Sequence, residues 1–288
     1  KETGKPLPAI AVCGPFGAVK EQAAGLYAQE MAERGFITLA FDPSFTGESG
    51  GQPRYMTSPD INTEDFCAAV DFLLTHPDVN PEAVGIIGIC GWGGLAINAA
   101  AADPRIKATV ASTMYDMSRV TANGYFDAAD SPEARNEMRR SLAARRTEDF
   151  RIGTPALGGG VPDELPSDAP QFLKDYFDYY KTERGYHPRS LNSNGGRNAT
   201  SAIPWINFPQ MSRASEIENA VMIIHGERAH SFYFGSDAYK KLTVTPGTSN
   251  NKLFMTIPGA NHTDLYDRTD IIPFAAIKTF FDEHLNQK

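Results

Sequence analysis

The sequence predicts an α/β fold in which helices cover both faces of a mostly parallel central sheet. Short, continuous apolar runs such as 8–13, 84–89 and 107–112 alternate with segments of helical periodicity. Strands that are apolar at every position are buried on both faces, as the strands of a parallel sheet are. The 288 residues suffice for one such domain with an insertion, and we expect a single domain over 1–288.

The first half of the chain alternates between the two kinds of element. We expect strands at 8–13, 36–41, 84–89 and 107–112, with helices at 21–34, 64–75 and 95–102 between them. Gly14-Pro15 and Asp42-Pro43 end the first two strands, and Gly35 ends the first helix. Four strands joined by helices of this kind predict right-handed parallel crossovers.

The alternation resumes near the end of the chain. The strands expected there are 221–224 and 252–257, and the helices are 236–242 and 274–285. The ends of both strands carry unusual polar residues, and ligands of open α/β sheets bind at the carboxyl ends of the strands. We therefore expect the functional site at this edge of the sheet.

Residues 115–215 interrupt the pattern. The segment is polar and rich in Gly and Pro, with helix-like stretches near 131–150 and 169–184 but no apolar strand run. Its aromatic side chains need a surface to pack on, and the rim of a cleft offers one. We predict an inserted helical cap over about 115–215; a decorated surface loop is the alternative.

The composition of the chain limits the classes of partner that we expect it to bind. A net charge of −8 repels phosphate backbones, so we expect no nucleic-acid partner. No apolar run approaches the roughly 18 residues of a membrane span, so we expect no membrane partner. A small-molecule substrate remains, with a homodimer left open. The chain begins with Lys1 rather than Met, which leaves the compartment open; we favour the cytoplasm over an exported, processed form.

The three cysteines, Cys13, Cys67 and Cys90, are too few and too scattered for a disulfide framework. No Cys/His spacing suggests a metal, and we expect no metal site. The glycine-rich turn lacks the spacing of a dinucleotide fingerprint, so we expect no cofactor.

The strongest motif is Gly-Ile-Cys-Gly-Trp-Gly-Gly at 88–94, between a predicted strand and a predicted helix. This is the setting of a nucleophile elbow, a tight turn that raises a Ser or Cys above the sheet between small flanking residues. Counted from the strand, Cys90 is the nucleophile, but its second neighbour is the bulky Trp92. Counted from the glycines, Trp92 stands at the tip and no nucleophile is present. Both registers stay open.

A general base is predicted at His262, which follows the last strand and precedes the last helix. Imidazole transfers protons near neutral pH. Glu227, in the turn after the strand at 221–224, is the candidate for the carboxylate that orients it, and Asp116 is its rival. His230, in the same turn as Glu227, is a weaker candidate for a proton carrier.

The loop after the first strand completes the site. Phe16 or Gly17 is placed to offer a backbone N–H to a developing oxyanion, and Gly91 or Gly93 is placed to offer the second.

Six motifs together resemble a known group, the polyketide-transferase-like branch of the α/β-hydrolase superfamily, which is related to dienelactone hydrolases. They are Gly-Pro-x-Gly-x-x-Lys-Glu-Gln at 14–22, Leu-Tyr-Ala at 26–28, Leu-Ala-Phe-Asp at 39–42, Gly-Glu-Ser-Gly-Gly at 47–51, Gly-Ile-Cys-Gly-x-Gly-Gly at 88–94 and Gly-Ala-x-His at 259–262. The resemblance implies an α/β-hydrolase fold and a hydrolase or an acyl or polyketide transferase. It carries His262 over as the base and Glu227 as the acid, whereas relatives commonly have Ser or Gly in place of Trp92.

Two functions follow from these residues. The first is an esterase- or thioesterase-like enzyme for a small ester, thioester or lactone, in which Cys90 attacks, His262 takes the proton and Glu227 orients His262. The second is a degenerate hydrolase fold that binds a hydrophobic small molecule, with Trp92 as the floor of its pocket. Acyl or polyketide transfer, or a lyase or isomerase step with His262 as a lone base, are further alternatives.

Overall fold

The computed structural model describes residues 4–245, 247 and 249–285, so both ends of the predicted domain 1–288 lie outside the described residues. The strands are β1 (Leu7–Cys13), β2 (Ile37–Ala40), β3 (Val79–Ile89), β4 (Ile106–Ser112), β5 (Leu157–Gly159), β6 (Gly196–Asn198), β7 (Ala220–Gly226) and β8 (Lys252–Ile257). The first helices are α1 (Ala23–Glu33), α2 (Pro59–Leu74), α3 (Gly91–Ala102), α4 (Met117–Asn123) and α5 (Pro132–Ile152). The later helices are α6 (Gln171–Lys181), α7 (Leu191–Asn194), α8 (Ile203–Asn207), α9 (Phe232–Leu242), α10 (Asp264–Asp267) and α11 (Phe274–Leu285).

Six strands form one sheet in the order β2-β1-β3-β4-β7-β8, and every neighbouring pair is parallel. Ile86 and Ile87 point to opposite faces and both are fully buried, which shows that both faces are covered. On β3, Gly85 faces Phe281 of α11, and Gly88 faces Ala96 of α3. The predicted α/β fold with a parallel sheet between helices is confirmed.

The strand order reverses between β1 and β3, and this reversal positions the site. Cys13, the last residue of β1, is the register partner of Gly88 near the end of β3. The loops that leave these two strands therefore meet at the carboxyl edge of the sheet, where α/β proteins bind their ligands.

The segment between β4 and β7 contains α4 to α8 and a two-stranded antiparallel hairpin of β5 and β6. Its longest helix, α5, has clear sequence signals: the Ser131 hydroxyl accepts the N–H of Ala134, Pro132 occupies the first turn, and Gly153 closes the helix in the left-handed conformation. The hairpin was not predicted from the sequence, because its strands are only three residues long.

None of the helices in the described part of the chain has both the length and the apolar character that a membrane crossing requires.

Candidate active site

Cys90 forms the tip of the turn between β3 and α3. Its backbone has φ 60° and ψ −127°, a conformation that side chains other than glycine rarely adopt. Its carbonyl accepts the N–H groups of Gly93 (2.9 Å) and Tyr115 (3.0 Å), which hold the turn closed. Of the two registers left open by the sequence, the structure has the one with Cys90 at the tip.

The opposite flank of the turn is Gly88. A Cβ atom at this position would lie 2.1 Å from the carbonyl oxygen of Trp92, so no side chain fits between strand and helix here. Trp92 itself points away from the sulfur. Its indole is buried against Phe41 and Phe66, with ring centroids 6.1 and 5.5 Å away.

The indole is not among the residues that line the cavity beside Cys90, but it does line a small neighbouring cavity together with Phe16 and Arg197. It packs on Phe16 at a centroid distance of 6.2 Å, and Phe16 lines both cavities. The hypothesis that Trp92 forms the floor of a binding pocket stays a prediction.

Burial and neighbouring polar groups act on the pKa of the Cys90 thiol in opposite directions. Burial raises this pKa, while the Tyr266 hydroxyl and the backbone N–H groups of Gly91 and Phe16 lower it. Backbone donors from the residue after a nucleophile and from the loop after β1 are the pair that stabilises an oxyanion in acyl transfer. The roles of Phe16 and Gly91 as oxyanion donors stay predictions.

Gly93 and Gly17 form structural hydrogen bonds. The Gly93 N–H is already bonded to the Cys90 carbonyl. The Gly17 carbonyl accepts the Ser190 hydroxyl at 2.9 Å and the Asn192 N–H at 3.1 Å, which ties the loop after β1 to the inserted segment. Both glycines are structural neighbours of the donors in this arrangement.

His262 is buried and surrounded by hydroxyl groups. Its Nδ1 lies 2.8 Å from Thr113 Oγ1 and 2.6 Å from Ser231 Oγ, and its Nε2 lies 3.0 Å from the Tyr266 hydroxyl. A proton on Nδ1 is donated to one of the two hydroxyls, which leaves Nε2 free to accept from Tyr266. Tyr266 therefore stands between the sulfur and the imidazole.

The imidazoles near the site are held neutral. Burial lowers the pKa of His262 well below its ordinary value, and the neighbouring His230 and His225 add to this effect. Burial also lowers the pKa of His230 to about 4 and that of His225 to about 3. At neutral pH all three rings are uncharged.

The structure does not bring Glu227 to His262, which corrects the expectation that Glu227 orients this ring. Glu227 is exposed, and its carboxylate accepts the N–H of Gly259 at 2.8 Å. The rival Asp116 caps α4 by accepting the N–H of Arg119 at 3.0 Å. Among the described residues, only hydroxyl groups are hydrogen-bonded to His262.

His230 lies beside this constellation. Its Nε2 is hydrogen-bonded to the Tyr115 hydroxyl, its ring stacks on Phe172 at 4.5 Å, and its centroid is 5.1 Å from that of His262. The Tyr115 hydroxyl is bonded in turn to Tyr176 at 2.9 Å. His230 thus belongs to a second chain of polar groups next to the first.

A cavity of about 540 Å³ opens above Cys90. Its volume is that of an ordinary small-molecule site. Five tyrosines line it: Tyr115, Tyr125, Tyr176, Tyr180 and Tyr266. All but Tyr266 precede β7 in the predicted insertion, so this segment supplies most of the aromatic wall.

Sequence reasoning missed Tyr266, Ser231 and Thr113. Tyr266 follows His262 by four residues, a spacing that brings two side chains to one side of a helical turn. Thr113 is the first residue after β4, and Ser231 follows β7 by five positions. All three positions lie at the carboxyl edge of the sheet, which was the one available signal.

The strand order, the crossing helices and a reactive side chain on the tight turn after β3 define an α/β hydrolase. The profile of the X-Pro dipeptidyl-peptidase (S15) family matches residues 1–153, a little more than half of the chain. The chain belongs to this family.

Two bacterial relatives cover nearly the whole chain. The uncharacterized protein PA2218 of Pseudomonas aeruginosa is 54% identical over 283 residues, which are 98% of this chain and 74% of that protein. Its crystal structure superposes with a TM-score of 0.93 over 99% of this chain and 87% of that one. The uncharacterized protein YcjY of Escherichia coli is 34% identical over 96% of this chain and 89% of its own length.

Fungal relatives carry names that describe chemistry. The thiohydrolase aneE of Aspergillus aculeatus is 38% identical over 69% of this chain and 55% of that protein. The polyketide transferase claH of Penicillium crustosum is 31% identical over 36% of this chain and 34% of its own length. The resemblance to polyketide-transferase-like α/β hydrolases is confirmed.

Proposed function

We propose that this protein is a cysteine-dependent acyl hydrolase that cleaves a thioester or ester of a small molecule. One observation carries the proposal: Cys90, at positive φ on the tip of the β3–α3 turn, lines a ligand-sized cavity together with Phe16 and Tyr266, and the Tyr266 hydroxyl is hydrogen-bonded to His262. The turn acts as a nucleophile elbow. The thiohydrolase name of a fungal relative supports the choice of a thioester.

The backbone donors act on the oxyanion. When the Cys90 sulfur bonds to the carbonyl carbon, negative charge moves to the carbonyl oxygen, and the N–H groups of Phe16 and Gly91 donate hydrogen bonds to that oxygen. Such donors are preorganised, because the turn and the loop after β1 are fixed by the sheet. The loss of one donor of this kind costs roughly 10²–10³ in kcat in other enzymes.

Proton transfer passes through Tyr266. The Cys90 thiol gives its proton to the Tyr266 oxygen while the Tyr266 proton moves to Nε2 of His262, which leaves a thiolate, a neutral tyrosine and an imidazolium. As the tetrahedral intermediate collapses, the bond from carbon to the leaving sulfur or oxygen breaks, and the proton returns along the same path to that group. Water then gives up a proton by this route and attacks acyl-Cys90, which releases a carboxylic acid and restores the thiol.

Transfer to an acceptor other than water is the second candidate. Cys90 is only 7% exposed beneath an aromatic wall, an environment that disfavours bulk water at the acyl-enzyme. Relatives named as a polyketide transferase and an acyltransferase fit the same scheme. In this version an alcohol or amine of a second substrate attacks acyl-Cys90.

Trapping of the acyl-enzyme tests the proposal. The protein is mixed with S-butyryl N-acetylcysteamine and with p-nitrophenyl butyrate, and the tryptic peptides are analysed by mass spectrometry. We expect a butyryl group on the Cys90 peptide, and we expect Cys90→Ala to lose both the adduct and turnover.

Cys67→Ala is the matched control, because Cys67 lies on α2 away from the cavity. It should keep the rate and the adduct of the unaltered protein. Turnover that persists in Cys90→Ala contradicts the proposal. A stable adduct that is released only by an added alcohol or amine favours transfer over hydrolysis.

A further inference from the structure

Arg197 is a cation without a partner at the wall of the Cys90 cavity. It lies on β6, and its side chain lines the same cavity as Cys90. Within the part of the chain that the structure describes, its guanidinium forms neither an ion pair nor a hydrogen bond, and its one recorded side-chain interaction is with the Phe16 ring, 5.4 Å from its centroid.

The other partly buried arginines among the described residues all have polar partners. Arg119 and Arg184 each bind two carboxylates, those of Asp127 and Asp237 and those of Asp178 and Asp267. Arg34 and Arg135 bind one carboxylate each, and Arg54 binds two backbone carbonyls. This is the ordinary situation, because a charge removed from water without a counter-ion is costly. Arg197 is the exception.

The electrostatics around Arg197 agree with this geometry. Burial lowers the pKa of its guanidinium, and the groups that raise the pKa are Tyr125 and Cys90, with no carboxylate among them. Both of these groups line the cavity. An anion that enters this cavity can therefore reach the guanidinium.

The fold keeps room for the guanidinium. Gly159, which follows the register partner of Arg197 on β5, Gly158, has φ 75°, and a Cβ atom at 159 would lie 3.2 Å from Nη2 of Arg197. The guanidinium thus rests between a glycine on one side and an aromatic ring on the other. These contacts position it while leaving its N–H donors unused.

We propose that Arg197 binds a carboxylate of the substrate, so that the substrate is the thioester or ester of a dicarboxylic half-acid. The planar guanidinium matches a carboxylate with two parallel hydrogen bonds. Arg197 is the one Lys or Arg among the residues that line the cavity, and a single cation balances a monoanion, whereas a phosphate dianion calls for a second. The identity of the bond cleaved rests on the proposed function.

Arg197 also lowers the pKa of the Cys90 thiol, so a loss of activity in an Arg197 variant has two explanations. Equilibrium binding separates them, because it needs no reaction. The test uses the full chain with Cys90→Ala and measures the binding of monomethyl esters of succinate, glutarate and adipate by calorimetry. Each monoester is compared with its neutral dimethyl ester.

We expect at least one monoester to bind tenfold or more tightly than its diester. Arg197→Met should abolish this preference and leave the affinity for the diester within about threefold, which also shows that the cavity has stayed folded. Arg197→Lys should keep part of the preference for the monoester. Arg140→Met, which removes an exposed charge of α5, is the control and should change neither affinity.

A preference that survives in Arg197→Met overturns the proposal, as does the absence of any preference in all three pairs when Arg197 is present. Failure of the proposed function looks different. In that case no acyl-Cys90 forms, yet the monoester preference and its dependence on Arg197 remain.

Discussion

The thiol end and the imidazole end of this site differ in the groups that surround them. Around Cys90, burial raises the pKa of the thiol, and two backbone N–H groups and the cation of Arg197 oppose this effect. Around His262, the hydrogen-bonded partners are neutral hydroxyls, and the nearby rings of His230 and His225 disfavour a positive charge. Part of the cost of a negative charge is thus offset at the thiol end, whereas the described residues that are hydrogen-bonded to His262 carry no charge that would offset a positive one.

The sheet explains this contrast. The thiol stands where β1 and β3 end side by side, at the reversal of strand order, so backbone donors converge on it. The imidazole is held by side chains that follow β4, β7 and β8, and these positions carry Thr113, Ser231 and Tyr266 rather than a carboxylate. The following experiments test whether the contrast governs stability and rate.

The largest expected effect is on stability in mild acid. A histidine with a folded pKa below its unfolded value of about 6.5 binds fewer protons when folded, so the free energy of unfolding falls as the pH falls below 6.5. His225, with a pKa of about 3, and His262, whose pKa is lowered well below its ordinary value, should each remove about 2 kcal/mol between pH 7.5 and 5.0. Guanidinium chloride unfolding at a series of pH values measures this loss.

His225→Leu is the paired variant for this measurement. It removes one of the three neutral rings, so the slope of unfolding free energy against pH should fall by about one proton near pH 5.5. A free energy that stays level between pH 7.5 and 5.0 contradicts the view that the imidazole end is held neutral.

The next effect is that of His262→Ala on turnover. General acid–base groups contribute roughly 10²–10⁴-fold, and we expect kcat/KM for a thioester to fall within that range. His76→Ala, which alters an exposed ring outside the site, should leave the rate unchanged. If the His262→Ala protein is as active as the unaltered protein, turnover at Cys90 does not depend on the imidazole.

Tyr266→Phe tests the connection between the Cys90 thiol and the His262 imidazole, because in the proposed mechanism the Tyr266 hydroxyl passes the proton between them. If the proton passes through it, kcat/KM should fall by about 10², within the range of acid–base effects, and a variant that also carries His262→Ala should be no worse than His262→Ala alone. Tyr239→Phe, on α9 against Phe254, is the control. A rise in activity in Tyr266→Phe indicates that the hydroxyl hinders direct proton transfer between thiol and imidazole.

The smallest effect is expected from Glu227→Gln. An amide oxygen still accepts the Gly259 N–H, and the side chain is exposed, so kcat/KM should change less than about twofold, as for most surface substitutions. A loss of a hundredfold or more restores Glu227 as the orienting acid and shows that the loop rearranges when substrate binds.

The periodicity of apolar residues was sufficient to predict the main strands and helices of the fold. The predicted strand at 252–257 and the helix at 274–285 coincide with β8 and α11, because continuous apolar runs and helical spacing follow directly from burial. The position of Cys90 at the carboxyl edge of the sheet follows from the same pattern. The α/β fold and the family resemblance are both confirmed.

The side-chain directions at the site could not be predicted in this way. Glu227 occupies the turn where an acid was expected, but its carboxylate turns outward to Gly259, and no periodic signal encodes that direction. Arg197 lies in a three-residue strand within a glycine-rich segment, which is too short to leave a pattern. Its isolation from carboxylates is a property of the folded chain alone.

The turn at Cys90 has one further consequence, for the divergence of related sequences. Its steric requirement skips position 92: glycine is demanded at 88, where a Cβ atom would meet the backbone of 92, and at 94, where a Cβ atom would lie 2.1 Å from the Tyr115 carbonyl oxygen. The side chain at 92 packs on Phe41 and Phe66 instead. Side chains of different size can therefore occupy position 92, provided that the residues at 41 and 66, which pack against it, change as well. In homologues of this chain, substitutions at 92 should be accompanied by compensating substitutions at 41 or 66.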